Sequence, residues 1–422
     1  MRILWFTNDP MPAVSRRIGR PIAGTGHWIS RLLECLPRSA DLQIEIATVY
    51  PGLRNEQFEE DGVRYFVIGQ PKTANIFFHC RRQDLQACAS LVHERQPDLV
   101  HIHGTERFYG LLSARKLINT PTVISIQGLL TAYQQFFFGA LSFRDTWKSN
   151  RLIELCSRRG LYWLHHEYWR GARQEQEILA GAEAFLGRTD WDRAYVHCAN
   201  PDAPYYHVGE LLRPPFKDTV WNVSKCDRHS VIFTNCGHPR RGTETLIAAL
   251  PLISRHFPDL HVRLAGHIGA RRGYDRFLRR HIAGSGFADK ITFLGYLDAN
   301  AMAGHLANSH VFAISSYSEN SPNSLCEAMQ VGMPSVASYA GGIPSLIQHN
   351  HTGLLFPTGD AAMLAHAIIE IFRNDDLACR LGQSARSHAS RRHDPKTVTS
   401  DLLSAYNDVL SSRKSARLKV SV

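Results

Sequence analysis

The stretch Ser316–Pro334, SYSENSPNSLCEAMQVGMP, decides how the rest of this chain is read. It follows an apolar run, "HVFAISS", that reads as a strand. Glu319 and Glu327 stand eight positions apart, with Ser321, Pro322, Asn323 and Ser324 between them. Those residue types make a helix start. Ser321 falls in the N-cap position and Pro322 at the first helical position, where its missing N–H would be unpaired anyway. The N–H groups of Asn323 and Ser324 are then the orphan donors of the first turn. With the helix dipole they form an anion site, its charge effect roughly 0.3–1 kcal/mol when exposed and ~2 kcal/mol when partly buried.

The helix that follows has an inner face of Leu325, Ala328 and Met329. Asn323 and Glu327, four apart, share the opposite face. Glu327 is therefore expected to point outward, unburied, beside the anion site. A carboxylate there accepts two hydrogen bonds from a vicinal diol such as a ribose. These features admit two readings: a solvated surface Glu327 with an ordinary loop acid at Glu319, or a socket for a sugar nucleotide, with diphosphate on the helix start, ribose on Glu327 and hexose near Glu319. The glycine-ended strands and the resemblance given below favour the socket.

The chain has 422 residues, enough for two domains of ordinary size. At 44% hydrophobic and 20% charged it has the composition of a globular protein rather than a disordered one. Nine cysteines are scattered without CxxC spacing, which argues against a disulfide framework or zinc ribbon and for a reducing, cytoplasmic setting. "MRILWFTN" reads as a strand, leaving no room for a signal peptide. No run of 18 apolar residues is present, so no membrane span is expected. The formal charge of +10 favours anionic partners: nucleic acid, an acidic membrane face or phosphorylated small molecules. The sequence has no basic-aromatic RNA-binding signature and no finger or basic-zipper pattern, so no nucleic-acid partner is expected.

Outward from the quoted stretch, short apolar runs alternate with helix-length segments. The rhythm starts with "RILWFT" and restarts at "SVIFTNCG" after about residue 225. Strands separated by helices imply parallel sheets of βαβ units. The expected fold is α/β, with two doubly wound Rossmann-like domains at 1–222 and 223–392, and a final helix at about 393–415 packing back on the first. Pro251, inside "TETLIAALPLISRHF", is expected to kink or break its helix. Ligands of such sheets sit beyond the carboxyl ends of the strands. In the second half those ends read Cys236-Gly237-His238, Gly266-His267, Gly295-Tyr296 and Ser315-Ser316. This makes Gly237, Gly266 and Tyr296 donor-side candidates.

At these residues the chain resembles the retaining glycosyltransferases of family 4, which have the GT-B fold of two such domains facing across a cleft. That family carries a Glu-x7-Glu element followed by "EAMxxGxP"; here it reads "ENSPNSLCEAMQVGMP". "SYAGGIPSLIQHNHTGLLFPTGD" and "ITFLGYL" are similar to further family segments, and "DLVHIHG" and "AGTGHW" add weaker likeness in the first half. The resemblance implies a hexosyltransferase in which Glu319 contacts the donor sugar and Glu327 holds the ribose hydroxyls. A basic pair would clamp the diphosphate: in "NCGHPRRGTETL", Arg241 fills the family's lysine position and Arg240 is able to exchange roles with it. His238 stands where the family has an arginine. Gly24 and Gly26 resemble the loop that meets the diphosphate from the first domain.

There are departures. Where the family has an active-site histidine, this chain has Gln127, which hydrogen-bonds but exchanges no protons; His103, at the end of the preceding strand, is the alternative. Pro322 replaces a common glycine, and Ser345 a glutamate. "DWD" at 190–192 reads as a helix start capped by Thr189 or Asp190 rather than as metal ligands, and no catalytic metal or other cofactor is expected. Arg188, at a strand end, would face the cleft. Arg16 and Arg17 would approach it from the acceptor side.

The resemblance implies front-face departure of the nucleotide diphosphate, with the acceptor hydroxyl entering on the same side. Implied partners are a nucleotide-sugar donor and a glycan or lipid-linked acceptor in surface polysaccharide or glycolipid synthesis. The mixed aromatic and basic segment from Ala132 to Gly171 is open to two readings: core aromatics with solvated charges, or a surface for an anionic membrane, which would make the chain peripheral. A sugar-nucleotide epimerase or hydrolase of the same fold and a non-catalytic nucleotide-sugar-binding subunit stay open. No GxGxxG follows either first strand, which disfavours an NAD enzyme.

Overall fold

The computed structural model describes residues 1–19, 27–37, 41–71, 80–149, 160–266 and 273–420. Gly24 and Gly26 lie outside the described residues. The chain divides into two compact units. The first comprises Met1–Thr131, Glu167–Leu211 and His393–Val422; the second comprises Ala132–His166 and Leu212–Arg392. The sequence-based boundary near 222 thus differs from the structure in two places. Residues 132–166 fold with the second unit, and that unit begins at Leu212. The reason is burial: Phe137 is fully buried with its ring edge-on to His238, 4.9 Å between centroids.

The first unit is built on strands β1 (Arg2–Thr7), β2 (Gln43–Pro51), β3 (Glu56–Glu60), β4 (Val63–Gln70), β5 (Leu99–His103), β6 (Thr122–Ser125), β7 (Phe185–Gly187) and β8 (Tyr205–His207). Their order is β3-β4-β2-β1-β5-β6-β7-β8. Pairing is parallel except in the hairpin of β3 with β4. Central strands buried on both faces read as continuous apolar runs, as in "ILWF". The helix Pro395–Val420 joins this core: Val398, Leu402, Ala405, Tyr406 and Val409 are buried with Trp5, Trp28 and Leu99.

The second unit holds β9 (Asp227–Thr234), β10 (His261–Ala265), β11 (Ile291–Gly295), β12 (Ser309–Ile314), β13 (Ser335–Ser338) and β14 (Leu354–Phe356). The order β11-β10-β9-β12-β13-β14 is parallel throughout. Its chain order reverses direction at β9 and β12, so their carboxyl ends flank a topological switch point. The helix Thr243–Ser254 is not broken at Pro251. Pro251 sits in the last turn and is exposed, so it forfeits a single backbone bond near the helix end.

Candidate active site

Three loops, after β9, β12 and β13, leave the carboxyl ends of the second sheet and supply the site. After β9 the chain turns through Asn235–Gly242. Gly242 closes that turn at φ 68°, and a Cβ there would overlap the Ser315 carbonyl, so only glycine fits. Ser315 Oγ donates to Gly242 O at 2.6 Å, and Tyr317 N to Arg240 O at 2.8 Å. The loop after β9 is thereby fastened to the loop after β12.

The second fastening is ionic. Glu319 is only 4% exposed, and its carboxylate is paired with Arg241. Arg240 Nη1 lies 3.7 Å from Glu319 Oε2 and also donates to the Ser318 carbonyl. Ser316 Oγ donates to Glu319 Oε1 at 3.0 Å. The backbone of Glu319 is held as well: Gly342 N donates to Glu319 O at 2.8 Å, and Gly341, at φ 55°, passes so close that a Cβ would strike that carbonyl. A buried carboxylate survives because it is paired and hydrogen-bonded.

The two arginines are not equivalent. Arg240 is buried, with its guanidinium 3.8 Å from the centroid of the Tyr133 ring. Arg241 keeps 21% of its side chain exposed and is the one able to meet a ligand. His238 caps this turn, its Nδ1 accepting from Arg240 N at 3.1 Å. Burial, then the charges of Arg240 and Arg241, lower its pKa to about 3, so it is neutral. With His238 neutral, Arg240 and Arg241 are the cations of this loop.

The helix after Glu319 runs Asn323–Val331. Its N-cap is Pro322, at φ −69° and ψ 112°, with no side-chain cap. The expected frame, Ser321 capping and Pro322 helical, is one residue too early. Leu325 N and Cys326 N already turn back to Pro322 O, which leaves the N–H groups of Asn323 and Ser324 ahead of the first helical acceptor. Asn323 is exposed and Ser324 half-buried.

Glu327 overturns its expectation. It is buried, not outward in solvent. Arg213 holds it, Nε and Nη2 both donating to Oε1 at 2.9 and 2.7 Å. The segment after Leu212 lies over this helix face, and Trp221 N donates to Val331 O at 3.0 Å. A helical wheel does not register a cover supplied from a hundred residues upstream. Burial raises the Glu327 pKa to about 7, although Arg213 pulls it down. Arg213 is the functional neighbour that sequence reasoning missed; a lone arginine in the proline-rich "ELLRPPF" was the available signal.

The remaining donor-side candidates occupy the outer strand ends. Gly266 N donates to Gly295 O at 2.8 Å, and Gly266, at φ 122°, packs against Asn235. Gly237 is half-buried and Tyr296 is 64% exposed. The structure therefore brings Arg240, Arg241 and Glu319 together, sets the helix start after them, and leaves Tyr296 two strands away beyond β10.

The first-unit candidates fare differently. His103 is completely buried between Trp5, at 4.6 Å, and Trp28, at 5.5 Å between centroids. Neither ring nitrogen has a hydrogen-bond partner, and burial, then His101 and Arg188, hold its pKa well below the ordinary value. It is a neutral core residue and not an accessible contact. Gln127 donates to His103 O at 3.0 Å, and so braces the strand end. Arg188 is buried, 4.4 Å above the Trp28 ring and 3.4 Å from Glu210. Arg16 and Arg17 are exposed and pair with Glu60 and Glu56 of β3. Asp192 completes a capping box with Thr189 and so has a structural use.

Residues 222–388 match the family described as Glycosyl transferases group 1. The chain is 32% identical over 175 residues to a phosphatidyl-myo-inositol mannosyltransferase of Mycobacterium leprae, covering 41% of this chain and 45% of that one. It is 32% identical over 130 residues to an N-acetyl-alpha-D-glucosaminyl L-malate synthase of Bacillus anthracis, covering 31% and 34%. The chain thus spans less than half the length of these relatives. Among solved structures it is similar to a sucrose-phosphate synthase of Thermosynechococcus elongatus, with TM-score 0.72, 18% identity and coverage of 97% and 99%. HepE of Anabaena, solved with UDP and glucose, gives TM-score 0.65 at 16% identity, covering 97% and 100%. At such identities the likeness shows the fold: two Rossmann-like parallel-sheet domains of the GT-B class, as the sequence led one to expect. Among the described residues no helix is long and apolar enough to cross a membrane.

Proposed function

We propose, from the match of residues 222–388 to the Glycosyl transferases group 1 family, that the chain is a retaining glycosyltransferase. It moves a hexose from a nucleotide-diphosphate sugar to a glycan or lipid-linked acceptor, in surface polysaccharide or glycolipid synthesis. The observation that carries this reading is the Arg241–Glu319 ion pair at the switch point, followed by a helix start with no side-chain cap. A relative of the same fold solved with UDP and glucose supports the donor class.

In this reading the diphosphate sits where Arg241 and the N–H groups of Asn323 and Ser324 converge. Charge builds on the departing phosphate as the glycosidic bond breaks, and fixed donors aimed at that charge lower the barrier. Glu319, in contact with the donor sugar, also fixes Arg241 before the donor arrives, so little reorganisation remains for the transition state. Glu327 holds the ribose hydroxyls, itself aimed by Arg213. The leaving phosphate takes the acceptor proton, which explains why no neutral imidazole is needed at His103.

The test is release of nucleotide diphosphate from a panel of uridine, guanosine and adenosine diphosphate sugars, with and without lipid-linked acceptors. Release that depends on acceptor is the expected result. Equal release without any acceptor would establish a hydrolase instead, and no release or thermal stabilisation with any donor would leave only a binding or structural role.

A further inference from the structure

The segment Ala132–Ser149 is part of the second unit and has two halves. Its first half grips the arginine loop: Tyr133 lies under Arg240, Phe137 stands edge-on to His238, and Gly139, at φ 55°, passes against the Pro239 carbonyl with no room for a Cβ. Its second half, the helix Phe143–Ser149, packs against the helix Gly273–Gly284, and Arg276 Nη2 donates to Ser149 O at 2.7 Å.

What this helix pair leaves outside is unusual. Phe143 is 76% and Trp147 53% exposed, one turn apart on one face. Arg144 beside them is exposed, as are Arg279, Arg280 and His281 on the neighbouring helix. The Arg279 guanidinium lies 5.0 Å from the ring centroid of Phe293, itself partly exposed. Asp145 on the first helix accepts from Ser142, and Asp275 on the second is half-buried, so the outward charge is cationic. Two exposed rings on one helix and exposed guanidinium groups on it and on the helix packed against it suit the boundary between lipid headgroups and acyl chains: rings enter the interface and cations meet phosphate. The whole chain's charge of +10 has the matching sign.

We propose that the face formed by helices Phe143–Ser149 and Gly273–Gly284 docks on an anionic phospholipid surface. It names the surface from which a lipid-linked acceptor is served, and it rests on the transferase reading for that purpose alone. Through Gly139, Phe137 and Tyr133, the docked helix is continuous with the loop that carries Arg240 and Arg241.

The experiment uses the full chain without donor or acceptor, floated with vesicles of phosphatidylcholine alone or mixed with phosphatidylglycerol, at low and high salt. The wild type should float only with the anionic vesicles and lose binding as salt rises. Phe143→Ser with Trp147→Ser should lower vesicle affinity at least about tenfold, with unchanged thermal unfolding and unchanged transfer to a water-soluble acceptor. Arg144→Glu, Arg279→Glu and Arg280→Glu together should abolish flotation. The proposal is overturned if the wild type does not float at low salt, or if the double aromatic variant floats as the wild type does. It is overturned too if a polynucleotide binds with the same arginine dependence and displaces the vesicles, which would make the face a polyanion site. Donor-dependent chemistry is untouched by all three outcomes, so failure here is separable from failure of the transferase reading.

Discussion

The two sheets end their central strands in opposite ways. Beyond β9 and β12 stand Arg240, Arg241 and Glu319, charged, paired and in part open to solvent. Beyond β5 and β6 stand His103 and Gln127: the histidine is sealed between two tryptophans, and the glutamine is spent on a backbone carbonyl. Position in the fold is the same, and chemistry is not. The difference follows from what each end packs against. Between the indole rings the unpartnered His103 is held neutral, with the charge of Arg188 beside it paired to Glu210, whereas the end crossed by glycine loops admits backbone and charge together.

The sharpest way to break this comparison is Arg241→Ala. If the charged end performs the chemistry, turnover should fall about 10²–10³-fold with the acceptor KM little changed. Steady-state kinetics with acceptor varied at saturating donor measures it, and a lost acceptor KM with intact turnover would reverse the assignment. The next effect is smaller and depends on pH. The Glu327 carboxyl has its pKa raised to about 7, so it is protonated below that value and charged above it. Binding a ribose diol needs the carboxylate, so donor affinity should rise as pH rises through about 7, by about tenfold between pH 6 and 8. The sign for stability is the reverse: a raised pKa favours folding at low pH and loses that contribution as pH passes the folded value. Isothermal titration of donor across this range, repeated on Glu327→Gln, should show the slope vanish in the variant. The smallest effect belongs to the other sheet. His103→Leu removes a buried ring that has no hydrogen bond, so activity should stay within about threefold and stability within ~1 kcal/mol. A hundredfold loss of turnover would place chemistry at the sealed end after all.

Much of the second unit was legible because its signals are local. Glycines 237 and 266, the Glu319 loop and the helix start sit within single strand-loop-helix units, and each residue's backbone demand is visible in its own type. The failures share a cause: contacts from distant sequence. Glu327 looks outward on its own helix, and Arg213 with the chain leading to Trp221 covers it. Residues 132–166 follow the strands of the first unit, yet Phe137 finds its pocket beside His238. Arg16 and Arg17, read as acceptor-side candidates, pair with Glu60 and Glu56 of β3, an edge hairpin that no local pattern around residue 16 announces. His103 alternates correctly along its strand, but no pattern in "DLVHIHG" announces that Trp28 closes over it. Pro322 shows the milder version, a helix found with its first residue displaced by one.

The helix Pro395–Val420 sets an order of events during synthesis. Tyr406 receives a hydrogen bond from Trp5 and another contact from His101, so the earliest strand of the chain waits on almost the last helix. Everything from Leu212 to Arg392 is made in between and has its own sheet to complete. On the ribosome the half that begins first is finished second, with an apolar flank uncovered for the time it takes to translate nearly two hundred residues. Apolar surface of β1 left open before its covering helix exists is the condition under which incompletely folded chains associate.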